Sequence, residues 1–188
     1  MNRKIIRTLS ALALAAGMAH AAQAAWIPAK AAAAQVVLER AFATAMANPV
    51  PVKASVAVDA APVARIAVPR LGVGAVVLSG RSKQALSMAP TELPERIDDV
   101  RVISGHRDTH FAFIRDLAVG DRVELTDAAG KHAYRVVRFE TVRHDGFAIP
   151  THPDRPLLAL ATCFPFDAPL NSGSGTPWRR VAWAEAID

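Results

Sequence analysis

Cysteine is almost absent from this chain: Cys163 is the only one among 188 residues. A single cysteine excludes an internal disulfide, so the thiol serves as an intermolecular link, a small buried hydrophobic group or a reactive group. It lies in "LLALATCFPF", at the end of an apolar run and before an aromatic-proline break. Reactive side chains on a rigid scaffold usually emerge where a strand meets a loop. This position favours a reactive thiol, while the buried alternative stays open.

A strong charge of one sign is also missing from most of the chain. The net charge is +5, but residues 61–188 contain 16 basic and 15 acidic residues, so the excess lies in the N-terminal third. A domain with almost no net charge is a poor binder of polyphosphates, and no nucleic-acid partner is expected. Hydrophobic residues make up 52% of the chain and charged residues 21%, which excludes wholesale disorder and predicts one globular domain.

The N-terminal apolar segment contains much alanine and little leucine. Residues 1–25 begin with Arg3, Lys4 and Arg7 and continue into a stretch in which "AHA" and "AQA" resemble signal-peptide cleavage sites. Residues 8–27 are long enough to cross a bilayer, yet their composition makes them a weak membrane span. A cleaved signal peptide and a retained membrane anchor both stay open. Either one places the rest of the protein outside the cytoplasm.

Residues 26–60 are predicted to form a helical segment followed by a linker rich in proline and alanine. Strong helix formers fill positions 29–47, and Asn48-Pro49 ends the helix. The stretch that follows, "PVPVKASVAVDAAPVA", is typical of an extended linker. The remaining residues, 61–188, form the main domain.

The main domain has the pattern of an all-β fold with few helices. Its strand candidates are "ARIAVPRLGV", "AVVLSG", "DDVRVISG", the hairpin "DRVELTDAAGKHAYRVVRFETVRHD", the fully buried run "PLLALATC" and the last strand "VAWAEA". "SKQALSMA" predicts a short helix with Ser82 as its N-cap, and "HFAFIRDL" predicts one helical turn. Short strands at close spacing predict a closed β-barrel or a sandwich.

Three groups of side chains capable of chemistry lie at predicted strand ends. Cys163 ends the buried run, His106 follows the Ser-Gly that ends "DDVRVISG", and Arg179 and Arg180 open the last strand. His110 is a second candidate base without the strand-end placement. Each of these residues alone is also common as a plain surface or core residue. Together they supply a nucleophile, a base and an oxyanion stabiliser, which is the set that acyl transfer requires.

These motifs, in this order, resemble those of the sortases, which are cysteine transpeptidases. "ALATC" is similar to the family's "TLxTC" strand, Gly105-His106 to its "GH" motif, and "WRRVAWA" to the strand that its arginine opens. "VISGHRDTHFAFIRDLAVGD" and "TCFPFDAPLNSGSGTPWRR" look most like the Gram-negative group called class GN, as does "WIPAKAAAAQVVLERAF". The resemblance runs from about Trp26 to the end of the chain. Ala159 stands where the family has a threonine, a change expected to affect packing more than chemistry.

The resemblance implies an eight-stranded barrel and a catalytic set of Cys163, His106 and Arg179. Arg179 is preferred to Arg180 because "PWRRVAWA" looks like the group's "PLRYVV" pattern. Cys163 would attack the threonine carbonyl of an LPxTG-like C-terminal signal on an exported protein, and an amine acceptor would resolve the thioacyl enzyme. No cofactor or metal is implied. The chain would act in the periplasm or, if anchored, at the periplasmic face of the inner membrane.

Substrate binding is predicted for the aromatic residues that follow the cysteine. Phe164 and Phe166 would line a groove for the leucine and proline of the signal, with Arg180 beside them; a packing role for the two rings fits equally well. Two other functions remain open at this point. One is a Cys-His hydrolase that releases its product to water, and the other is a non-catalytic periplasmic β-domain with a buried cysteine.

Overall fold

The fold was examined in a computed structural model that describes residues 3–47, 60–93, 99–168 and 176–187. The helices are α1 (Arg3–Ala47) and α2 (Lys83–Met88). The strands are β1 (Pro62–Val68), β2 (Val73–Ser79), β3 (Thr91–Glu92), β4 (Val100–Ser104), β5 (Arg122–Asp127), β6 (Gly130–Arg143), β7 (Leu157–Phe164) and β8 (Trp178–Ile187). Single 3-10 turns cover Pro69–Leu71 and Ala112–Arg115.

The eight strands close into one barrel in the order β1-β2-β3-β4-β7-β8-β6-β5. The prediction of an all-β, eight-stranded barrel is therefore confirmed. β4 pairs with β7 in parallel, and β7 pairs with β8 in antiparallel orientation. The end of β4, the end of β7 and the start of β8 consequently meet at one rim of the barrel. These are the three strand ends that carry the predicted chemical groups.

Local sequence signals account for most of the elements. The hairpin forms β5 and β6 around the Ala128-Ala129 turn. The side chain of Ser82 caps α2 by accepting from the amide of Ala85 at 3.0 Å, as predicted. The predicted helical turn is the 3-10 turn Ala112–Arg115. The two-residue strand β3 escaped prediction because a segment this short has no readable period.

Strand β7 is apolar throughout because it packs on both faces. Leu158 and Leu160 point into the barrel, where they join the main core. Ala159 and Ala161 alternate with them and contribute to a second apolar cluster on the outer face, around Trp183. Burial on both sides explains the apolar run, but the prediction of a fully buried strand holds only for its middle, since Leu157, Ala161, Cys163 and Phe164 are partly exposed.

The C-terminal third of α1 packs against the barrel. Leu38 and Phe42 lie in an apolar cluster with Val76 and Leu78 of β2, and the side chain of Gln35 accepts from the amide of Val76 at 2.9 Å. α1 is described up to Ala47, and the predicted end of the helix at Asn48-Pro49 lies outside the described residues. The predicted linker up to residue 59 lies outside the described residues. Among the helices that the structure describes, none combines the length and the apolar character needed to cross a membrane.

Candidate active site

Cys163 and Arg179 face each other across two neighbouring strands. They form a direct pair in the antiparallel ladder between β7 and β8. Directly opposite residues in such a ladder place their side chains on the same face of the sheet, with Cβ atoms about 5 Å apart. The thiol and the guanidinium therefore start from adjacent backbone positions and point to the same side.

His106 lies at the same rim of the barrel, on the other side of β7. The parallel ladder ends with Ser104 opposite Ala161, and the amide of Gly105 extends it by donating to Ala161 at 3.1 Å. His106 is the next residue, so it leaves β4 at the end of the sheet where β7 carries Cys163 and β8 begins with Arg179.

The backbone around His106 is fixed by glycine and by packing. A Cβ atom at Gly105 would lie 2.5 Å from the ring of Phe111, so only glycine leaves room for this buried ring. The amide of Phe111 donates to the carbonyl of His106 at 3.0 Å. From the opposite strand, the buried hydroxyl of Thr162 donates to the carbonyl of Gly105 at 2.8 Å. The "GH" and "TC" pairs are thus tied together directly.

Arg179 is oriented by backbone carbonyls. Its Nη1 atom donates to the carbonyls of Thr176 and Trp178, at 2.7 and 2.9 Å. No carboxylate forms an ion pair with it in the part of the chain that the structure describes. The side chain is half-buried, so the guanidinium is a positioned cation whose charge is not neutralised by a neighbour.

Arg180 points to the other face of the sheet. It pairs with Thr162 in the ladder, not with Cys163. Its guanidinium donates to the hydroxyl of Thr141 at 3.2 Å and lies 4.7 Å above the ring of Phe139. These contacts use its charge in packing, and they keep it away from the face of the thiol.

His110 lies near His106 but is held differently. Burial lowers the pKa of His110, the charge of His106 lowers it further, and a hydrogen bond to the carbonyl of Met88 opposes both effects. Its Nε2 atom is buried and has no hydrogen-bond partner among the residues that the structure describes. His106, in contrast, is exposed to solvent at the rim.

The two phenylalanines that follow the cysteine are not on its face. Phe164 alternates to the opposite side and pairs with Trp178. Phe166 packs against the main core and meets Phe164 edge to face at 5.9 Å. The structure therefore does not bring Phe164, Phe166 or Arg180 together with Cys163. The rest of the predicted loop wall, residues 169–175, lies outside the described residues.

A second apolar cluster lies on the thiol's own side of the sheet. Ala159 and Val181 are fully buried in it, and only Ala161, next to the cysteine pair, is partly exposed. Phe147, from the segment that connects β6 to β7, stacks on Trp183 with ring centres 5.9 Å apart. Sequence reasoning missed this cluster, although the apolar residues on both sides of β7 were a signal for it. No three potential metal ligands come together among the residues that the structure describes.

Comparison with known proteins identifies the family of this arrangement. The family model for the sortase domain matches residues 66–187. Sortase D of Bacillus subtilis (strain 168) is 38% identical over 66 residues, which are 35% of this chain and 33% of that protein, so the match spans a third of the relative's length.

Solved sortase structures share the fold. The Clostridium perfringens sortase D5 transpeptidase superposes with a TM-score of 0.64 at 16% identity, covering 83% of this chain and 99% of that one. Sortase C-1 of Actinomyces oris gives 0.57 at 22% identity, covering 68% and 73%. The finer resemblance to the Gram-negative group stays a prediction. With the family model matched from β1 to the end of β8, the chain belongs to the sortase family.

Proposed function

We propose that this chain is a cysteine transpeptidase that cleaves an LPxTG-like sorting signal and transfers the acyl part to an amine. The observation that carries the proposal is that Cys163 and Arg179 are paired across β7 and β8, while His106 follows the end of the adjacent strand β4 at the same rim. Membership of the sortase family supports the same chemistry. The export of the chain and its retention at a membrane remain predictions from the sequence.

In the first half-reaction, the sulfur of Cys163 attacks the carbonyl carbon of the threonine in the signal. The carbonyl electrons move to its oxygen and return as the C–N bond breaks. His106 gives a proton to the leaving amine, and the acyl group remains on the sulfur as a thioester. In the second half-reaction, an incoming amine gives a proton to His106 and attacks the thioester, so that the thiolate leaves.

Arg179 is the group that stabilises the tetrahedral oxygen. It starts directly opposite Cys163, and the carbonyl of Thr176 orients its guanidinium before any substrate arrives. A preorganised donor of this kind lowers the barrier by about 3–4 kcal/mol in other acyl-transfer enzymes. Arg180 is excluded from this role by its direction, because it bonds to Thr141 on the other face.

The face of β7 beside the thiol is largely covered by the protein itself. Ala159 and Val181 are fully buried in the outer apolar cluster, so a bound peptide does not lie on them. The apolar part of the signal binds instead at the partly exposed end of the strand, around Ala161 and Cys163. Phe164 and Phe166 belong to the opposite face and the core, so they are not part of this surface.

The decisive experiment is product analysis with a fluorescent peptide that contains an LPxTG signal, with and without an added amine such as triglycine. A transpeptidase gives the peptide–triglycine ligation product, and this product disappears in Cys163→Ala. Release of the free acid alone, unaffected by the amine, identifies a hydrolase instead. No turnover of any signal in a panel, together with a thiol that does not react with iodoacetamide in the folded protein, identifies a non-catalytic domain.

A further inference from the structure

Arg107 is buried beside the candidate active site and bonds to the segment that leaves it. It directly follows His106, and only 7% of its side chain is exposed. Its Nη1 atom donates to the carbonyl of Pro165 at 2.6 Å, and its Nη2 atom donates to the carbonyl of Ala168 at 2.9 Å. Asp108, itself partly exposed, lies 3.3 Å from the Nε atom.

Arg115 adds a third contact of the same kind. Its Nη2 atom donates to the carbonyl of Phe166 at 2.9 Å, and its guanidinium lies 5.4 Å from the centre of that ring. Two arginines from the segment after the histidine thus bind three carbonyls from the segment after the cysteine. We refer to Arg107 and Arg115 as the carbonyl clamp.

The carbonyl clamp lies just beyond the last backbone hydrogen bond between β4 and β7, where the segments after His106 and Cys163 leave the sheet. The last ladder contact between β4 and β7 is the bond from the amide of Gly105 to Ala161. Beyond it, His106 and Cys163 have no direct backbone pairing. Arg107 is one residue from the histidine, and Pro165 is two residues from the cysteine. Its guanidinium therefore bridges the two sides at the level of the chemistry.

From this geometry we infer that Arg107 is a positioning residue for the reaction, which holds the His106 and Cys163 backbones in register through the carbonyls of Pro165 and Ala168. The inference rests on the proposed transpeptidase function. A planar guanidinium reaches two carbonyls at once, and a lysine ammonium acts as a single point charge. Because a histidine held beside a thiol increases the reactivity of the thiol, loss of this register should also change how thiol reactivity depends on pH. Arg115 contributes less because it reaches a single carbonyl from an exposed position.

The test compares Arg107→Ala and Arg107→Lys with the wild-type chain in peptide transpeptidation. A displacement of catalytic groups by about 1 Å costs about 100-fold in rate, so kcat should fall between about 10-fold and 100-fold while KM changes less than about 3-fold. Arg107→Lys keeps the positive charge but loses the planar guanidinium that reaches two carbonyls, so its kcat should lie between those of the wild-type chain and Arg107→Ala. Added guanidinium ion should restore part of the rate of Arg107→Ala. Arg122→Ala, an exposed residue paired with Glu124 on β5, is the matched control and keeps wild-type kinetics.

A second readout does not depend on turnover. The rate at which iodoacetamide alkylates Cys163 is measured against pH, and its midpoint should move to higher pH in Arg107→Ala and by less in Arg107→Lys. The shift supports the inference even if no sorting peptide is cleaved, in which case only the proposed function fails. Circular dichroism and thermal unfolding show whether Arg107→Ala folds. If it does not, the inference is tested with Arg107→Lys alone. Wild-type kcat and an unmoved alkylation midpoint in folded variants, or a rise in KM at constant kcat, overturn the inference.

Discussion

An arginine and a histidine come together near each end of strand β4, but one group is buried among carboxylates and the other is not. Near its start, Arg101 donates to both carboxylate oxygens of Glu92 at 2.7 and 2.8 Å and to Asp127 at 2.6 Å. His132 lies 3.0 Å from the same aspartate. Beyond its other end, His106 is exposed, and Arg179 of β8 bonds to backbone carbonyls and to no carboxylate in the described part of the chain. We call the first group the ionic network and the second the reactive rim.

This contrast separates stability from function. In the ionic network every charge has an opposite charge within hydrogen-bond distance, and the side chains of Arg101, Glu92 and Asp127 are each 8% exposed. Burial opposes the charge of Arg101, but the hydrogen bonds that it donates to Glu92 and Asp127, with the charges of these carboxylates, raise its pKa above the ordinary value. Nothing remains for a substrate to pair with. The reactive rim leaves its donors incomplete, which is what a site that stabilises a transient oxyanion requires.

The largest effect on the rim side is expected for His106→Ala. Loss of the general acid and base should reduce kcat about 1,000-fold or more, while thermal unfolding stays close to the wild-type temperature because the side chain is exposed. Peptide turnover followed by liquid chromatography measures it. If this variant kept full activity, His110 would become the base, and His110→Ala should then show the loss instead.

The two neighbouring arginines offer a matched pair on opposite faces of one strand. Arg179→Ala should lose about 100-fold to 1,000-fold in kcat, since it removes the oxyanion donor. Arg180→Ala should stay within about 3-fold and lose a little stability with its contacts to Phe139 and Thr141. Steady-state kinetics of both variants decide between them. The reverse order would mean that the register of β8 against β7 is shifted by one residue.

Removing Arg101 should reduce the stability of the protein and leave kcat unchanged, which is the reverse of the effect expected at the reactive rim. Arg101→Ala leaves the carboxylates of Glu92 and Asp127 buried without their partner, which should lower the free energy of unfolding by about 3–5 kcal/mol. Urea denaturation followed by tryptophan fluorescence measures the change. The kcat of the fraction that remains folded should match the wild-type value. A large loss of kcat in the folded protein would contradict the claim that the ionic network serves stability and not catalysis.

A smaller effect follows from the pH dependence of the ionic network. Burial alone would raise the pKa of Asp127, but hydrogen bonds from His132 and Arg101 outweigh it and lower the pKa below the ordinary value of 3.8. A lowered carboxyl pKa contributes stability that is complete above 3.8 and is lost as the pH falls through the folded-state value. The free energy of unfolding, measured by urea denaturation at several pH values, should therefore fall less between neutral and acid pH in Asp127→Asn than in the wild-type protein. An equal fall in both proteins would show that Asp127 does not contribute to this pH dependence.

Local sequence patterns predicted most of the strands of the barrel, but the pairing between strands determines which side chains face Cys163. The hairpin, the N-cap Ser82 and the buried run of β7 follow from short-range periodicity and turn chemistry. Alternation along β8 implied that only one of Arg179 and Arg180 faces the thiol, the resemblance favoured Arg179, and the pairing of β7 with β8 places Arg179 directly opposite Cys163. The same pairing places Phe164 on the far face, which its nearness to Cys163 in the sequence had concealed.

Contacts between distant segments could not be predicted at all. Arg107 carries no sequence signal for its contacts, because its carbonyl partners lie 58 and 61 positions further along the chain. The ionic network likewise joins residues of β3, β4, β5 and β6 that share no motif. Such contacts depend on barrel closure, which sets the register of every strand at once.

The most direct test of the account is intact-protein mass spectrometry of the chain incubated with sorting-signal peptides in the absence of an added amine. The reactive rim predicts a covalent adduct with the mass of the peptide's acyl portion, located on Cys163 by digestion, sensitive to hydroxylamine and absent from Cys163→Ala. Peptide cleavage that persists in Cys163→Ala, or an adduct on any other residue, would contradict it.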